Sequence, residues 1–247
     1  MLSLALMGTA AVFIESYLFP VLFLYFIYGK MQFFVLHAAQ FGPAAQQLLA
    51  GHWDLSLERL AIGASATFFI IVLDVTIIYG LLVRQNLKRP PQGFQEIFVP
   101  LLGATFYLAY NFVEYLPKEM NVLMIPERFL GVTTVIGTLF NICGALVSII
   151  ASYNLRYSYA VFVQMRDIMT RGIYRHVRHP IYLGYTLSTL GFLFMLPRLS
   201  YIIVFVLSLI VTIYRARLEE RKLMASPEYR QYAQKTPFLF PRFLKLS

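Results

Sequence analysis

"RGIYRHVRHPIYLGY", Arg171–Tyr185, sets three arginines and two histidines directly before an apolar run. Pro180 follows the last of these basic residues, and Gly184 lies four positions further on. Proline is tolerated at the first position of a helix, where its missing amide proton has no intrahelical partner to lose. The stretch therefore predicts a helix beginning at Pro180, with free first-turn amides beside Arg175, Arg178, His176 and His179. Such a helix end favours a bound anion. What lies around it decides what kind of helix this is.

The 247 residues are 59% hydrophobic, with a mean hydropathy of +0.65. Charged residues are 13%, against roughly 25% in soluble domains. This predicts an all-α, polytopic transmembrane protein. The net charge of +9 raises nucleic acid as a partner, but there is no basic soluble module, and basic loops on one face of a membrane explain the charge. Cys143 stands alone, so no intrachain disulfide and no cysteine-based metal site is expected, and no metal is predicted. The first thirty residues lack a basic leader and carry Glu15 within their apolar run, unlike a cleaved signal peptide.

Six segments approach the length of about 20 residues that a span requires. They are Leu2–Tyr28, Leu60–Val83, Ile97–Leu116, Phe129–Tyr153, Ile181–Pro197 and Leu199–Ala216. The last two are short and joined by "PRLS", which predicts a tight hairpin. Met31–Trp53 is moderately apolar and interrupted by "FGP", and reads as an interfacial helix or a re-entrant piece. On this layout 16 of the 21 lysines and arginines, among them Arg84, Lys88, Arg89, Arg156, Arg166 and all those from Arg215 onward, fall on one side. That side is expected to be cytoplasmic, with both termini on it. One domain, 1–247, is predicted, with four N-terminal spans in 1–153 and the motif-bearing region in 154–247.

The sixth span returns to the face where the fifth begins and ends in "RARLEERKL". Glu219 and Glu220 should thus approach His179 and Pro180. Carboxylates are disfavoured at a helix C-terminus, so both need partners. Arg215, Arg217 and Arg221 are one source; a bound ribose or cationic ligand is another. Adjacent helical residues point about 100° apart, which predicts different roles for the two. Beyond lies "PEYRQYAQKTPFLFPRF", in which Tyr229 and Tyr232 share a helical face. Pro237, Phe238, Phe240, Pro241 and Phe243 form a stiffened aromatic tail, read either as a membrane-interface belt or as a lid over a ligand between "RHP" and "EE".

These motifs in this order resemble the C-terminal half of the isoprenylcysteine carboxyl methyltransferases, and phospholipid N-methyltransferases are similar there. The resemblance runs from about Thr170 to Phe243. "RHPxYxG", a short hairpin, "EE" and a tyrosine-rich, proline-ended tail carry it. Gly172-Ile173-Tyr174 departs from the Gly-Pro that often precedes the aromatic residue in the family. The resemblance implies an integral membrane methyltransferase that uses S-adenosyl-L-methionine in a pocket at the cytoplasmic face. The cofactor-binding residues would be Tyr174, His179, Pro180, Tyr182, Leu183, Gly184, Glu219, Glu220 and Tyr232. Gly184 has a second reading, as a helix-packing site.

Methyl transfer from a sulfonium needs alignment in a dry site above all. A carboxylate acceptor requires no base, and Arg178, Arg217 or Arg221 would position it. An amine or hydroxyl acceptor is helped by a general base, for which Glu219 and Glu220 are the candidates. The acceptor is expected to be lipophilic and to arrive from the bilayer. Glu15, Asp74, Asn111, Glu114 and Asn141 lie within apolar spans, where they need partners or water; Asp74 is the one nearest a substrate pocket on this layout. Two alternatives stand beside this reading. One is an NADPH-dependent membrane sterol or lipid reductase, against which "EERKL" replaces a tryptophan-containing pattern. The other is a non-catalytic scaffold or transporter, which leaves the paired cytoplasmic motifs without a purpose.

Overall fold

The computed structural model describes residues 2–52, 55–84, 91, 93–112, 117–155, 158, 160–163 and 167–241. Among them there is no strand, and eight α-helices carry the fold: α1 (Leu2–Phe13), α2 (Phe19–Leu49), α3 (Leu55–Val83), α4 (Phe94–Phe112), α5 (Leu130–Leu155), α6 (Pro180–Met195), α7 (Leu199–Leu223) and α8 (Pro227–Lys235). Trp53, Lys88, Arg89, Glu114, Arg156, Arg166 and Phe243 lie outside the described residues, as does the side chain of Asn111.

Four helical segments are long and apolar enough to cross a membrane: Gly8–Gln47, Ile62–Val83, Leu130–Leu155 and Leu199–Leu223. Phe94–Gly103 and Pro180–Met195 are shorter apolar helices. The chain is an integral membrane protein. The sixteen residues of α6 span about 24 Å at 1.5 Å per residue, less than the ~30 Å hydrocarbon core.

The first segment departs from expectation. α1 and α2 join without a break through a π-helical turn, Ile14–Leu18. α2 then runs on to Leu49 with Pro43 inside it, so "FGP" does not end the helix. Ala38-Ala39-Gln40 before and Ala44-Ala45-Gln46-Gln47 after are good helix formers and flank the two poor ones, Gly42 and Pro43.

The helices pack in the order α2, α3, α5, α6, α7, α4, each against the next. The α5–α6 contact is the most extensive and has a simple origin in sequence. Gly137 and Gly144 on α5 face Gly191 and Gly184 on the antiparallel α6. A Cβ at Gly144 would lie 2.6 Å from the Gly184 carbonyl oxygen, and one at Gly184 would lie 2.7 Å from that of Gly144. Small residues let the two backbones touch, which is how helices associate where lipid removes the hydrophobic drive between them. Gly184 is thus a packing residue against α5, the second of its two sequence readings.

The expected hairpin is present. α6 and α7 are joined by Leu196–Arg198. The 121–124 segment braces this turn: the Met124 amide donates to the Pro197 carbonyl at 2.8 Å, and the Ser200 hydroxyl donates to Asn121 Oδ1 at 2.8 Å. The opposite end of the bundle gathers the start of α6 with the ends of α3, α5 and α7, and the buried cluster there includes Ile78, Leu81, Ala151, Leu155, Phe162 and Tyr174.

Candidate active site

At that end Gly172 opens a short 3-10 turn, Gly172–Arg175, with φ +60°. A side chain there would meet both the strain of the left-handed region and the Asn154 side chain, whose Cγ would be 2.8 Å away. The turn leads through Val177, which is buried, to His179, the residue preceding α6. Pro180 takes the first helical position, as the motif predicts. No side chain caps this helix.

The two glutamates divide as their helical spacing requires. Both are buried. Glu220 turns toward the RHP turn, where its Oε1 meets Arg178 Nη1 at 3.0 Å, His179 Nε2 at 3.4 Å and the Tyr229 hydroxyl at 3.3 Å. Glu219 accepts a hydrogen bond from the Tyr182 hydroxyl, and Arg215 Nε lies 3.8 Å from it. Arg215, four residues earlier on α7, also sits over the Tyr182 ring at 5.3 Å. Glu220 therefore clasps the two motifs together, while Glu219 lines the space between them.

That space is a cleft of about 380 Å³, its open mouth included, lined by Leu155, Ala160, Tyr174, Arg178, His179, Ile181, Tyr182, Tyr185, Arg215 and Glu219. A second cleft of about 320 Å³, its open mouth included, shares Leu155, Tyr174, Arg178 and His179 with it, and adds Asp167, Tyr229 and Tyr232 among others.

α8 and the tail close over this region. The Tyr232 hydroxyl donates to the Tyr174 carbonyl at 2.5 Å. Burial, the largest influence, raises the Tyr232 phenol to about 12; the Glu220 charge acts the same way, and Arg178 opposes both. The Arg178 amide donates to the Pro237 carbonyl at 2.9 Å. Phe238 meets the His179 ring edge-on at 5.0 Å, with the Arg178 and Arg217 guanidinium groups over its face at 5.6 and 4.6 Å. Each pairing of cation and ring adds a modest electrostatic attraction.

The structure brings Tyr174, Arg178, His179, Tyr182 and Glu219 to one cleft. Pro180 starts its helix, and Leu183 packs beneath it with Val177, Ala216 and Leu239. Tyr232 lines the second cleft. Arg217 and Arg221 are exposed on α7 and line neither cleft, because the helical turn that buries Glu219 and Glu220 faces them outward. Asp74 is buried in α3 and lines neither cleft. Asn141 is absorbed by the α5–α6 contact, donating to the Gly137 carbonyl at 3.3 Å. Sequence reasoning missed Leu155, Ala160, Ile181, Tyr185 and Arg215 as lining residues. Tyr185 was open to discovery, since it follows Tyr182 at helical spacing. Among the described residues no group of three or more histidine, cysteine or acidic side chains is placed to hold a metal ion.

Residues 122–231 match the model of a family described as phospholipid methyltransferase. The match covers a little under half of the chain, from the segment that braces the α6–α7 turn to the middle of α8. It includes Arg178, His179, Glu219, Glu220 and Tyr229. Over this region the chain is similar to the phospholipid methyltransferases, in keeping with the resemblance its motifs carry. A search of curated proteins finds no match to it.

Proposed function

We propose that this protein transfers a methyl group from S-adenosyl-L-methionine to a lipophilic acceptor, in the cleft between the RHP turn and the end of α7. In this proposal six helices cross the membrane, both termini are cytoplasmic, and the cleft opens to the cytoplasm. The observation that carries the reading is the convergence of Arg178, His179, Tyr182 and Glu219 on one cleft within the region that matches a methyltransferase family.

The donor set suits S-adenosylmethionine, which presents a carboxylate, an ammonium group, a sulfonium, two ribose hydroxyls and an aromatic base. Arg178 lines both clefts and offers a guanidinium to the carboxylate. Glu219 offers a buried carboxylate to hydroxyls or to positive charge. Tyr174, His179 and Tyr182 offer flat faces. When bound, this cofactor supplies a methyl group on a positively charged sulfur. The chain's own residues hold the reactants in line and exclude water, an effect worth several kcal/mol.

Glu220 is committed to Arg178, His179 and Tyr229. Glu219 is therefore the base for an amine or hydroxyl acceptor. If the acceptor is a carboxylate, no base is needed. The short 16-residue α6 places the cleft close to the apolar part of the bundle, which suits an acceptor that arrives from the bilayer.

The test is transfer of labelled methyl from S-adenosylmethionine to a membrane lipid extract by the purified protein. Label in the organic phase, lost in Glu219→Ala, supports the proposal. Folded protein that transfers no label and binds NADPH instead contradicts it.

A further inference from the structure

Glu15 is fully buried and sits in the π-helical turn that interrupts the first long helix. Such turns often mark functional positions. Its Oε2 pairs with Arg84, just beyond α3, at 2.7 Å. Its Oε1 accepts the backbone amides of Val161 and Phe162, the latter at 3.1 Å. Residues 160–163 form a buried, irregular strap between α5 and the RHP turn.

The strap is gripped from the other side by the C-terminal half. Arg215 Nη2 donates to the Val161 carbonyl at 2.7 Å. Lys222 Nζ donates to the Val163 carbonyl at 3.3 Å and pairs with Glu96 at 2.6 Å, while the Val163 amide donates to the Glu96 carbonyl at 3.0 Å. Val161 is thus held at its amide by Glu15 and at its carbonyl by Arg215. Arg215 in turn flanks Glu219 and covers Tyr182, and Ala160 lines the cleft itself.

We propose that Glu15 is a positioning residue for the cleft. By fixing the Val161 peptide it fixes where Arg215 lies, and so orients Glu219 and Tyr182. The inference rests on the methyltransferase reading for its ligand and on geometry alone for the coupling. It gives the N-terminal helices, outside the matched region, a part in the site.

Removing Glu15 alone leaves Arg84 buried and uncompensated, so the informative variant replaces both. Exchanging a buried ion pair for apolar side chains of similar size is often neutral or stabilising. Glu15→Met/Arg84→Met leaves no lone buried charge, but it strips the Val161 and Phe162 amides of their acceptor, so it is expected to melt below wild type while still folding. It is also expected to bind S-adenosylmethionine about tenfold more weakly, the scale of coupling through a packed network. Glu15→Gln, which keeps an oxygen for the two amides, is expected to bind within about threefold of wild type. A purely structural pair would move stability and leave affinity alone. A double-methionine variant that binds as tightly as wild type overturns the proposal.

A ligand-free readout separates this inference from the methyltransferase reading. In a second comparison, the effects of Glu15→Met/Arg84→Met and of Arg215→Met on melting temperature are expected not to add, because each removes a hydrogen bond that holds Val161. Strict additivity overturns the coupling. Wild-type protein that binds no S-adenosylmethionine overturns the methyltransferase reading instead, and the second comparison then decides the coupling.

Discussion

Arg178, on the turn before α6, meets Glu220, near the end of α7, with Nη1 and Oε1 3.0 Å apart. The same glutamate oxygen faces His179 and Tyr229. One buried carboxylate therefore ties together three elements that surround the cleft. Its neighbour Glu219 is left to the cleft side, with Tyr182 and Arg215.

This division predicts opposite signatures for two adjacent residues. Glu220→Ala leaves Arg178 without its buried partner, and breaking such pairs costs about 3–5 kcal/mol. A large fall in melting temperature is expected, with loss of S-adenosylmethionine binding. Glu219→Gln keeps an acceptor for Tyr182 and is expected to change melting little while weakening binding about tenfold or more, as lost charge-assisted contacts do. Thermal melts and binding titrations in the same detergent compare the two. Equal destabilisation by both would contradict the division.

The α5–α6 seam makes a prediction that concerns stability alone. Gly144→Ala places a methyl group against the Gly184 carbonyl and forces the helices apart, at a typical overpacking cost of about 1–3 kcal/mol. Gly29 has open space around its Cβ position, so Gly29→Ala is the control and is expected to be neutral or slightly stabilising. The molecules that remain folded are expected to bind S-adenosylmethionine as wild type does. Chemical or thermal unfolding of both variants checks this.

How much of this was legible beforehand depended on sequence distance. Pro180 as a helix start, the α6–α7 hairpin, the shared face of Tyr229 and Tyr232, and the split between Glu219 and Glu220 all follow from spacing within one or two turns. Arg215 was legible as a partner, lying four residues before Glu219, but not as a cleft residue. Glu15 was legible only as an intramembrane acid in need of a partner. Its contacts with Val161 and Phe162 span more than 140 residues, and no local pattern announces such a pairing. The glycines at the α5–α6 seam declare themselves only once the two helices are known to be antiparallel neighbours. "FGP" misled because Pro43 removes one amide, which a long helix tolerates when packing or lipid supports it.

Tyr232 predicts a pH dependence with a definite sign. Its folded-state pKa is raised, to about 12, from an ordinary value near 10. The folded protein therefore holds this proton more tightly than the unfolded chain. The resulting stability is fully present below about pH 10 and is lost as the pH rises toward 12. Tyr232→Phe removes the hydrogen bond to the Tyr174 carbonyl, at a cost of about 1 kcal/mol, and removes this alkaline component. The gap between wild type and variant is expected to hold from pH 7 to 9 and to shrink above pH 10. A gap that widens with alkalinity would contradict the sign.

Phe238 tests whether the tail acts as a lid. Phe238→Ala strips the aromatic face from Arg178, Arg217 and His179. Faster dissociation of S-adenosylmethionine is expected, by about fivefold, with a small change in melting, since the ring is only half-buried and exposed cation–π contacts contribute about 0.5–1 kcal/mol. Stopped-flow displacement measures the rate. An unchanged rate would leave Phe238 as an anchor of the tail and nothing more.

The most direct measurement is a calorimetric titration of the purified protein with S-adenosylmethionine, beside Glu219→Ala and His179→Ala, with NADPH as the competing ligand. Saturable binding of S-adenosylmethionine by wild type, weakened in both variants and unaffected by NADPH, is the predicted result. Well-folded wild-type protein that takes up no S-adenosylmethionine, or only NADPH, would contradict the assignment of the cleft.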